Sequence, residues 1–453
     1  MNFSTDIFIF IFLPIFIIFY RLVPECIRRI VLVIGSLAFY LLGTYSNLWW
    51  SLPLLLLIAL VEYGLYVISY HISDNKIKMQ RFLLFIELLI PIVILIGFKA
   101  FQIMPLGISF YTFQIISLQV DLWKGSTKVD FFEYFGFLFC FPKLTMGPIA
   151  RYDSRVISKN AKSFKERIQN LVKDIERGYK DFTVGLAMKV LLADQLATLW
   201  TSISVSGAAS ISVATAWLGA LSYTLELFMD FWGYSIMALG LGKMLGIKIP
   251  INFDDPYASK TVSEFWRRWH ITLGNFFRDY VYIPLGGSRN GSFKTFINLL
   301  IVWLLTGIWH GNGINFLIWG VVLFIFIALE RFTPLGKLQD SKVLGHVYIC
   351  LLMPITWMIF ANNSFVDVYQ YIGRMVGISF GDTEIGANQF GRYIESYWLL
   401  IIIAIFVSTP FVRKLYKRIK NNALIAIPLL ILFWFSILMI GKGSGNPFMY
   451  YQF

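Results

Sequence analysis

Long apolar segments recur along the whole of this sequence, and they limit what the chain can fold into. Of its 453 residues, 57% are hydrophobic and only 14% are charged, against roughly 45–50% and about 25% in soluble globular domains. This composition excludes a disordered chain, a collagen-like repeat and a disulfide scaffold. Repeated apolar segments of this kind predict an all-α polytopic membrane protein.

We predict about eleven or twelve membrane crossings, since a helical span needs about 20 residues. The apolar segments are residues 7–19, 30–42, 48–69, 82–98, 107–123, 182–200, 211–246, 296–309, 315–329, 347–360, 396–412 and 424–440. Several are shorter than a full span, so we expect them to be tilted, broken or buried in the bundle. Residues 131–147 are predicted to be a re-entrant or half-spanning segment. We interpret residues 1–453 as a single domain.

The basic residues predict the orientation. Lys and Arg total 39 against 26 for Asp and Glu, a net charge of +13, but this excess does not indicate nucleic acid, because basic residues of multispanning proteins collect in cytoplasmic loops. Arg21, Arg28 and Arg29 follow the first apolar segment, and residues 151–180 include nine basic residues. The positive-inside rule places these segments in the cytoplasm and both termini outside. Residues 164–179, basic and apolar at helical spacing, are predicted to lie along the inner membrane surface.

His310 is the strongest candidate for a functional residue. It ends an apolar segment and precedes Gly311, Asn312 and Gly313, which predict a helix break. The 14 residues 296–309 extend about 21 Å as a helix, short of the ~30 Å hydrocarbon core, so His310 is expected inside the membrane. An ionisable residue there suggests a functional site, and imidazole suits a general base near neutral pH. The alternative is a structural histidine, hydrogen-bonded in the bundle core.

A second candidate site begins at residue 263 and has the sequence Ser-Glu-Phe-Trp-Arg-Arg-Trp-His. It starts like an amphipathic helix with Ser263 as a possible N-cap. If the helix continues, Arg267 and Arg278 fall on one side and could face an anionic ligand, and Glu264 can pair with Arg268. The alternative is an interfacial helix with tryptophan anchors and snorkelling arginines.

Two acidic residues, Glu226 and Asp230, lie four positions apart within an apolar segment. Burying a carboxylate in a membrane costs free energy, so each of the two must be hydrogen-bonded, paired or functional. A structural ion pair with an arginine is the favoured interpretation, and a role in substrate binding is the alternative.

Several separate motifs, taken in order, resemble the membrane-bound O-acyltransferase (MBOAT) family. The main pair is Glu-Phe-Trp-Arg-Arg-Trp-His at 264–270 and Gly-Ile-Trp-His-Gly at 307–311, with further pieces at 141–149, 228–235 and 447–453. The likeness runs from about Pro105 to the last residue and is closest to the alginate O-acetyltransferase type. Ile-Pro-Leu-Gly-Gly-Ser-Arg at 283–289 favours that type over the related teichoic-acid D-alanyltransferase.

The resemblance implies a helical funnel with His310 at its centre and His270 as a second catalytic residue. It implies a bacterial inner-membrane enzyme that passes an acyl group, expected to be acetyl, from a cytoplasmic thioester such as acetyl-CoA toward hydroxyls of an extracytoplasmic glycan or to a partner acetyltransferase. His310 would act as the base or as an acyl relay. The candidates for substrate binding are Arg267, Arg268, Asn275, Arg278, Asp279, Trp309 and Asp230.

Other functions stay open at this point. D-alanyl transfer from a carrier protein to teichoic acid is one, and a transporter or flippase of an anionic or lipid-linked substrate is another, because broken helices and intramembrane His and Asp suit it equally. Against the transporter, no two-fold hydropathy repeat is visible. A non-catalytic scaffold for a partner enzyme is the third. No metal or bound cofactor is expected, because the three cysteines lie far apart without metal-ligand spacing.

Overall fold

The fold is all-α, as predicted. The computed structural model describes residues 2–43, 50–72, 76–125, 128–152, 164–380, 388–443 and 448, and within these ranges the chain forms helices and no β-strand. It separates into two compact units, residues 1–184 with 234–251, and residues 185–233 with 252–453. The interpretation of the chain as one domain stays a prediction.

The helices of the first unit come mainly from the N-terminal part of the chain. They are α1 (Leu13–Leu22), α2 (Glu25–Gly43), α3 (Ser51–His71), α4 (Ile77–Phe101), α5 (Ile108–Gly125), α6 (Phe131–Leu138), α7 (Phe141–Leu144) and most of α8 (Phe164–Ala187). The eight residues of α6 and the four of α7 are too few to cross a bilayer, which needs about 20. This agrees with the half-spanning segment predicted for residues 131–147.

The second unit contains the remaining helices, except the C-terminal part of α10. They are α9 (Asp194–Val205), α10 (Val213–Leu245), α11 (Val262–Arg268), α12 (Ile271–Phe277), α13 (Gly291–His310), α14 (Ile314–Phe332), α15 (Leu344–Ala361), α16 (Phe365–Met375), α17 (Gln389–Val407), α18 (Pro410–Ile419) and α19 (Ala426–Gly441). The candidate active site lies in this unit.

Eight helices in the described part of the chain are long and apolar enough to cross a membrane. They are Ser51–His71, Ile77–Phe101, Ile168–Val205, Gly291–His310, Ile314–Phe332, Leu344–Ala361, Gln389–Val407 and Ala423–Gly441, and Ile7–Leu22 is a shorter apolar helix. The other predicted crossings correspond to α2, α5 and α10, whose composition is more polar. For example, α5 buries Gln114 and Gln119, and α10 carries Glu226 and Asp230.

The helix predicted to lie flat on the membrane is part of a longer one. Residues 164–187 are α-helical, a π-helical turn follows at Met188–Ala193, and α9 continues directly to Val205. The 38 residues of Ile168–Val205 extend about 57 Å, far more than the ~30 Å of the hydrocarbon core. A helix of this length extends beyond the core if it crosses it, and the position of residues 164–179 on the inner membrane surface stays a prediction.

Helices α13 and α14 form an antiparallel hairpin that carries much of the site. Small residues let their backbones approach closely: a Cβ on Gly307 would lie 2.6 Å from the Phe316 carbonyl oxygen, and one on Gly320 would lie 2.5 Å from the Trp303 carbonyl oxygen. The backbone break predicted after His310 is present, because α13 ends at His310 and α14 begins at Ile314. The hairpin therefore holds His310 beside the first turns of α14.

Candidate active site

His310 lies inside the protein, within a set of aromatic rings. Its side chain is buried, and the centroid of its imidazole is 5.1 Å from the Trp319 ring and 5.1 Å from the Phe360 ring. The helix that it ends has 20 residues, about 30 Å, so its length matches the hydrocarbon core. The sequence argument from a short helix was therefore wrong. His310 is separated from solvent by the side chains around it.

His270 lies at a sharp change of chain direction between α11 and α12. Its backbone has φ 46° and ψ 51°, the left-handed region that non-glycine residues seldom occupy. Arg267 and Arg278 are therefore not on one continuous helix, contrary to the prediction from the sequence. The imidazole is buried, with its ring centroid 4.7 Å from the Phe231 ring. Burial lowers the pKa of His270 to about 3, so the ring is neutral at physiological pH.

Asn252 fixes the tautomer of His270. The Asn252 Oδ1 atom accepts a hydrogen bond from the Thr272 backbone N–H at 3.2 Å and one from the Thr272 hydroxyl at 2.9 Å. A backbone N–H can only donate, so the Asn252 atom at this place must be the oxygen. The His270 Nδ1 atom is 3.1 Å from the same oxygen and must therefore carry a hydrogen. In the neutral ring, Nε2 is then the basic nitrogen.

Trp309 connects the two histidines. The centroid of its ring is 4.6 Å from the His310 ring and 6.2 Å from the His270 ring. The indole is buried. The two family histidines, 40 positions apart in the sequence, therefore contact the same aromatic side chain.

A cavity of about 620 Å³ lies in the same unit. Its lining includes Arg267, Asn275 and Arg278 with His270 and Trp266. The wall contributed by α13 consists of Leu299, Val302, Trp303 and Thr306. These residues are one helical turn apart, and His310 occupies the next turn on that face. The cavity follows α13 as far as Thr306, one turn before His310, which is not among its lining residues.

The chain matches the family model described as MBOAT, membrane-bound O-acyltransferase family, over residues 36–336. The chain belongs to the membrane-bound O-acyltransferase family. It is therefore a membrane O-acyltransferase, and the enzyme class implied by the motifs is confirmed.

Three curated relatives show the range of this similarity. The chain is 33% identical to the probable alginate O-acetylase AlgI of Pseudomonas putida over 100% of both chains. It is 29% identical to the peptidoglycan O-acetyltransferase of Helicobacter pylori, covering 83% of this chain and 80% of the relative. It is 30% identical to the teichoic acid D-alanyltransferase of Streptococcus thermophilus, covering 68% of this chain and 77% of the relative.

In this membrane O-acyltransferase, the residues predicted to bind substrate separate into two groups. Arg267, Asn275 and Arg278 line the cavity, although Arg278 also forms an ion pair with Asp279 at 2.8 Å. The other predicted residues, Arg268, Asp279, Trp309 and Asp230, do not line it. Arg268 forms the predicted ion pair with Glu264, with an N–O distance of 2.7 Å, because α11 places residues i and i+4 on one side.

Asp230 belongs to a buried ion cluster in another part of the second unit. Its Oδ1 atom is 2.7 Å from Lys189 Nζ, and Asp194 Oδ1 lies at the same distance from that nitrogen. The Lys189 ammonium is also 4.9 Å from the centroid of the Phe448 ring. The ion pair predicted for Asp230 exists, but its partner is this lysine and not an arginine.

The N-terminus of α11 is held by residues that the sequence did not reveal. Its N-cap is Thr261, whose side chain accepts from the Glu264 N–H at 3.1 Å, and not Ser263 as predicted. Ser263 donates through its hydroxyl to Glu330 at 2.8 Å, and Glu330 also accepts from the Val262 N–H at 2.5 Å. A carboxylate at this position satisfies the free N–H groups and complements the positive end of the helix dipole.

Other site residues were also missed, namely Asn252, Trp319 and Arg331. Arg331 lines the cavity beside Glu330. Asn252 lies 18 positions from His270 in the sequence, and no local motif marks any of the three. One signal was available for Trp319. Because His310 lies at a helix end, the next helix, α14, was expected to contact it.

Proposed function

We propose that this enzyme transfers an acyl group, acetyl in the simplest case, from a thioester donor to hydroxyl groups of an extracytoplasmic glycan. The observation that carries the proposal is the cavity with arginines in its lining, one wall of which follows α13 as far as Thr306, one helical turn before His310. Phosphate-bearing thioesters such as acetyl-CoA suit the arginines, because guanidinium binds phosphate through charge-assisted hydrogen bonds. The names of the alginate and peptidoglycan relatives support a glycan acceptor.

In this mechanism His310 acts on the attacking hydroxyl. The hydroxyl oxygen forms a bond to the thioester carbonyl carbon, its proton passes to the imidazole, the C–S bond breaks, and the leaving thiolate takes the proton. In a relay, the imidazole nitrogen attacks first and releases the thiol, and the hydroxyl then takes the acyl group from the acyl-imidazole. His270, a neutral base held by Asn252, orients or assists the reacting groups. A separate extracytoplasmic acetyltransferase is the alternative final acceptor.

The test is turnover of acetyl-CoA and of a D-alanyl thioester by purified protein. His310→Ala should abolish acyl transfer to a glycan acceptor, a loss of at least roughly 10²–10⁴-fold for a general base, and should leave the thermal unfolding temperature near that of the wild type. His346→Ala is the matched control, since His346 hydrogen-bonds only within its own helix region, to the Lys342 carbonyl at 2.5 Å. Full activity of the folded His310→Ala protein would refute the assignment.

The proposed location is the bacterial cytoplasmic membrane, with the basic loops inside and both termini outside. Cysteines introduced at Lys417 in α18 and at Lys442 after α19 provide a test, because the helix Ala423–Gly441 between them is long enough to span. Membrane-impermeant maleimide should label the Lys442 position in intact spheroplasts and the Lys417 position only after the membrane is opened. The reverse pattern would overturn the orientation and the direction of transfer.

A further inference from the structure

Two tryptophans of the aromatic cluster beside His310, Trp319 and Trp266, have buried indole N–H groups that lack an acceptor in the described part of the chain. Trp319 is completely buried, and its Nε1 atom makes no hydrogen bond within the described ranges. The Nε1 atom of Trp266 is buried and equally without an acceptor there. A buried donor left unsatisfied costs about 1–3 kcal/mol, so such groups are rare and call for an explanation.

Other tryptophans of this unit show that the fold can satisfy the same group. Trp357 belongs to the same aromatic cluster, with its ring centroid 5.9 Å from that of Trp319 and 6.0 Å from that of Trp266. Its Nε1 atom donates to the Tyr257 hydroxyl at 3.2 Å, and that of Trp217 donates to the Met375 carbonyl at 2.9 Å. Within this cluster, the indole N–H groups of Trp319 and Trp266 therefore differ from that of Trp357 in having no acceptor in the described part of the chain.

The two tryptophans join the cavity to His310. Trp266 lines the cavity, its ring centroid is 5.4 Å from that of Trp319, and the Trp319 ring lies against the His310 imidazole at 5.1 Å. Asn315, one turn before Trp319 on α14, adds an orphaned acceptor, since its buried Oδ1 atom has no donor in the described part of the chain. An unsatisfied donor and acceptor on one helix face match a carbonyl group beside a hydroxyl group.

We propose that the indole N–H groups of Trp319 and Trp266 bind the acyl carbonyl oxygen and stabilise the oxyanion that forms there during transfer. This rests on the proposed function. When the hydroxyl oxygen bonds to the carbonyl carbon, the C=O electron pair moves onto oxygen, and the hydroxyl proton goes to His310. The two N–H groups then donate to the negative oxygen. When the C–S bond breaks, the C=O bond re-forms and the thiolate takes the proton from His310.

In this proposal the substrate carbonyl oxygen is the hydrogen-bond acceptor for the two indole N–H groups. Donors that are already fixed and already dehydrated need no rearrangement when charge develops, and this is why preorganised donors stabilise a transition state strongly. Removing one such donor typically lowers kcat about 10²–10³-fold.

The experiment compares Trp319→Phe and Trp266→Phe with the control Trp357→Phe. The control makes the same change of side chain in the same cluster, but the N–H that it removes already has an acceptor. Acyl transfer from acetyl-CoA to a glycan acceptor is measured with His310→Ala in parallel. Trp319→Phe should lower kcat about 10²–10³-fold with the KM for acetyl-CoA unchanged, whereas Trp357→Phe should keep its kcat within a few-fold. In the double variant Trp266→Phe/Trp319→Phe the loss should be smaller than the product of the single losses, since both groups bind one oxygen.

A second variant removes only the donor. Benzothienylalanine at position 319 replaces the indole N–H by sulfur in a ring of nearly the same shape, so it tests the proposal even if the Phe variant folds poorly, and it should lower kcat to the same extent. Near wild-type kcat in the benzothienylalanine protein, with His310→Ala inactive, would overturn this proposal and leave the proposed function standing. Equal losses in Trp319→Phe and Trp357→Phe would assign both residues to packing. Activity in His310→Ala would instead refute the proposed function.

Discussion

Two buried polar regions of the second unit differ in composition, since one is an ion cluster and the other is a set of aromatic rings around His310. In the ion cluster, the Lys189 ammonium contacts Asp194 and Asp230 at 2.7 Å each, and all three side chains are at most 3% exposed. Around His310, indole N–H groups are left without acceptors in the described structure. Burying charge is tolerated when the charges are paired, and removal of one partner would leave the others uncompensated, so the fold depends on this cluster being complete. Unsatisfied donors weaken the fold, and this indicates that the aromatic region is kept for its chemistry.

The largest effect is expected from Lys189→Met, which leaves two carboxylates buried without a cation. Breaking a buried ion pair by removing one partner costs about 3–5 kcal/mol, so we expect a large fall in the free energy of unfolding. The matched control is Lys243→Met, since Lys243 pairs with Asp181 while its side chain is 40% exposed, and exposed pairs contribute roughly 0–1 kcal/mol. Chemical denaturation in detergent measures both. Equal stability losses would contradict the structural role of the cluster.

The next effect concerns the donor at the cavity. Arg267 lines the cavity. Its neighbour on α11, Arg268, does not line it and forms an ion pair with Glu264. Charge-assisted hydrogen bonds contribute about 1.5–3 kcal/mol, so Arg267→Gln should raise the KM for acetyl-CoA roughly 10- to 100-fold. Arg268→Gln is the control and should change it little. A truncated thioester without the nucleotide should show no difference between the two variants, and a rise in KM for both donors would place the phosphates elsewhere.

A smaller loss is expected from Asn252→Ala. It removes the oxygen that accepts from Thr272 and His270, and unsatisfied buried groups cost about 1–3 kcal/mol. Acyl transfer should also fall, because the basic nitrogen of His270 is no longer fixed at Nε2. Thr272→Val keeps the Asn252–His270 hydrogen bond and serves as the control. It should lose stability and retain more activity than Asn252→Ala, and the opposite order would refute the tautomer argument.

The smallest effect is a dependence of stability on pH. The folded-state pKa of His270 is lowered from 6.5 to about 3 by burial, so between these values the unfolded chain binds a proton that the native protein does not. Stability therefore rises with pH across this window and is lost as pH falls below about 6.5. His270→Asn, which tolerates the left-handed backbone, should reduce the loss between pH 7 and 5. His71→Asn, at an exposed histidine, should not.

The sequence was informative where chemistry is encoded in short segments. His310, His270, Trp309 and the cavity arginines were identified from local motifs, because each motif places its own residues. Asn252 and Glu330 were missed because they reach the site only through tertiary packing: Glu330 accepts from a backbone N–H 68 positions away. The partner of Asp230 was misjudged for the same reason, since a helical segment shows which face carries the carboxylate but not which cation meets it.

Helix α14 also has a consequence for the size of the donor. It presents Trp319 to His310 near its beginning and carries Arg331, in the cavity lining, near its end. Twelve residues separate the two, about 18 Å along the helix axis. The length of this part of the helix therefore sets the distance between the imidazole and the cavity arginine. Under the proposed function, a thioester on a long flexible arm would place its phosphates among the arginines and its carbonyl at the imidazole at the same time, whereas a compact activated acyl group such as acetyl phosphate would reach only one end.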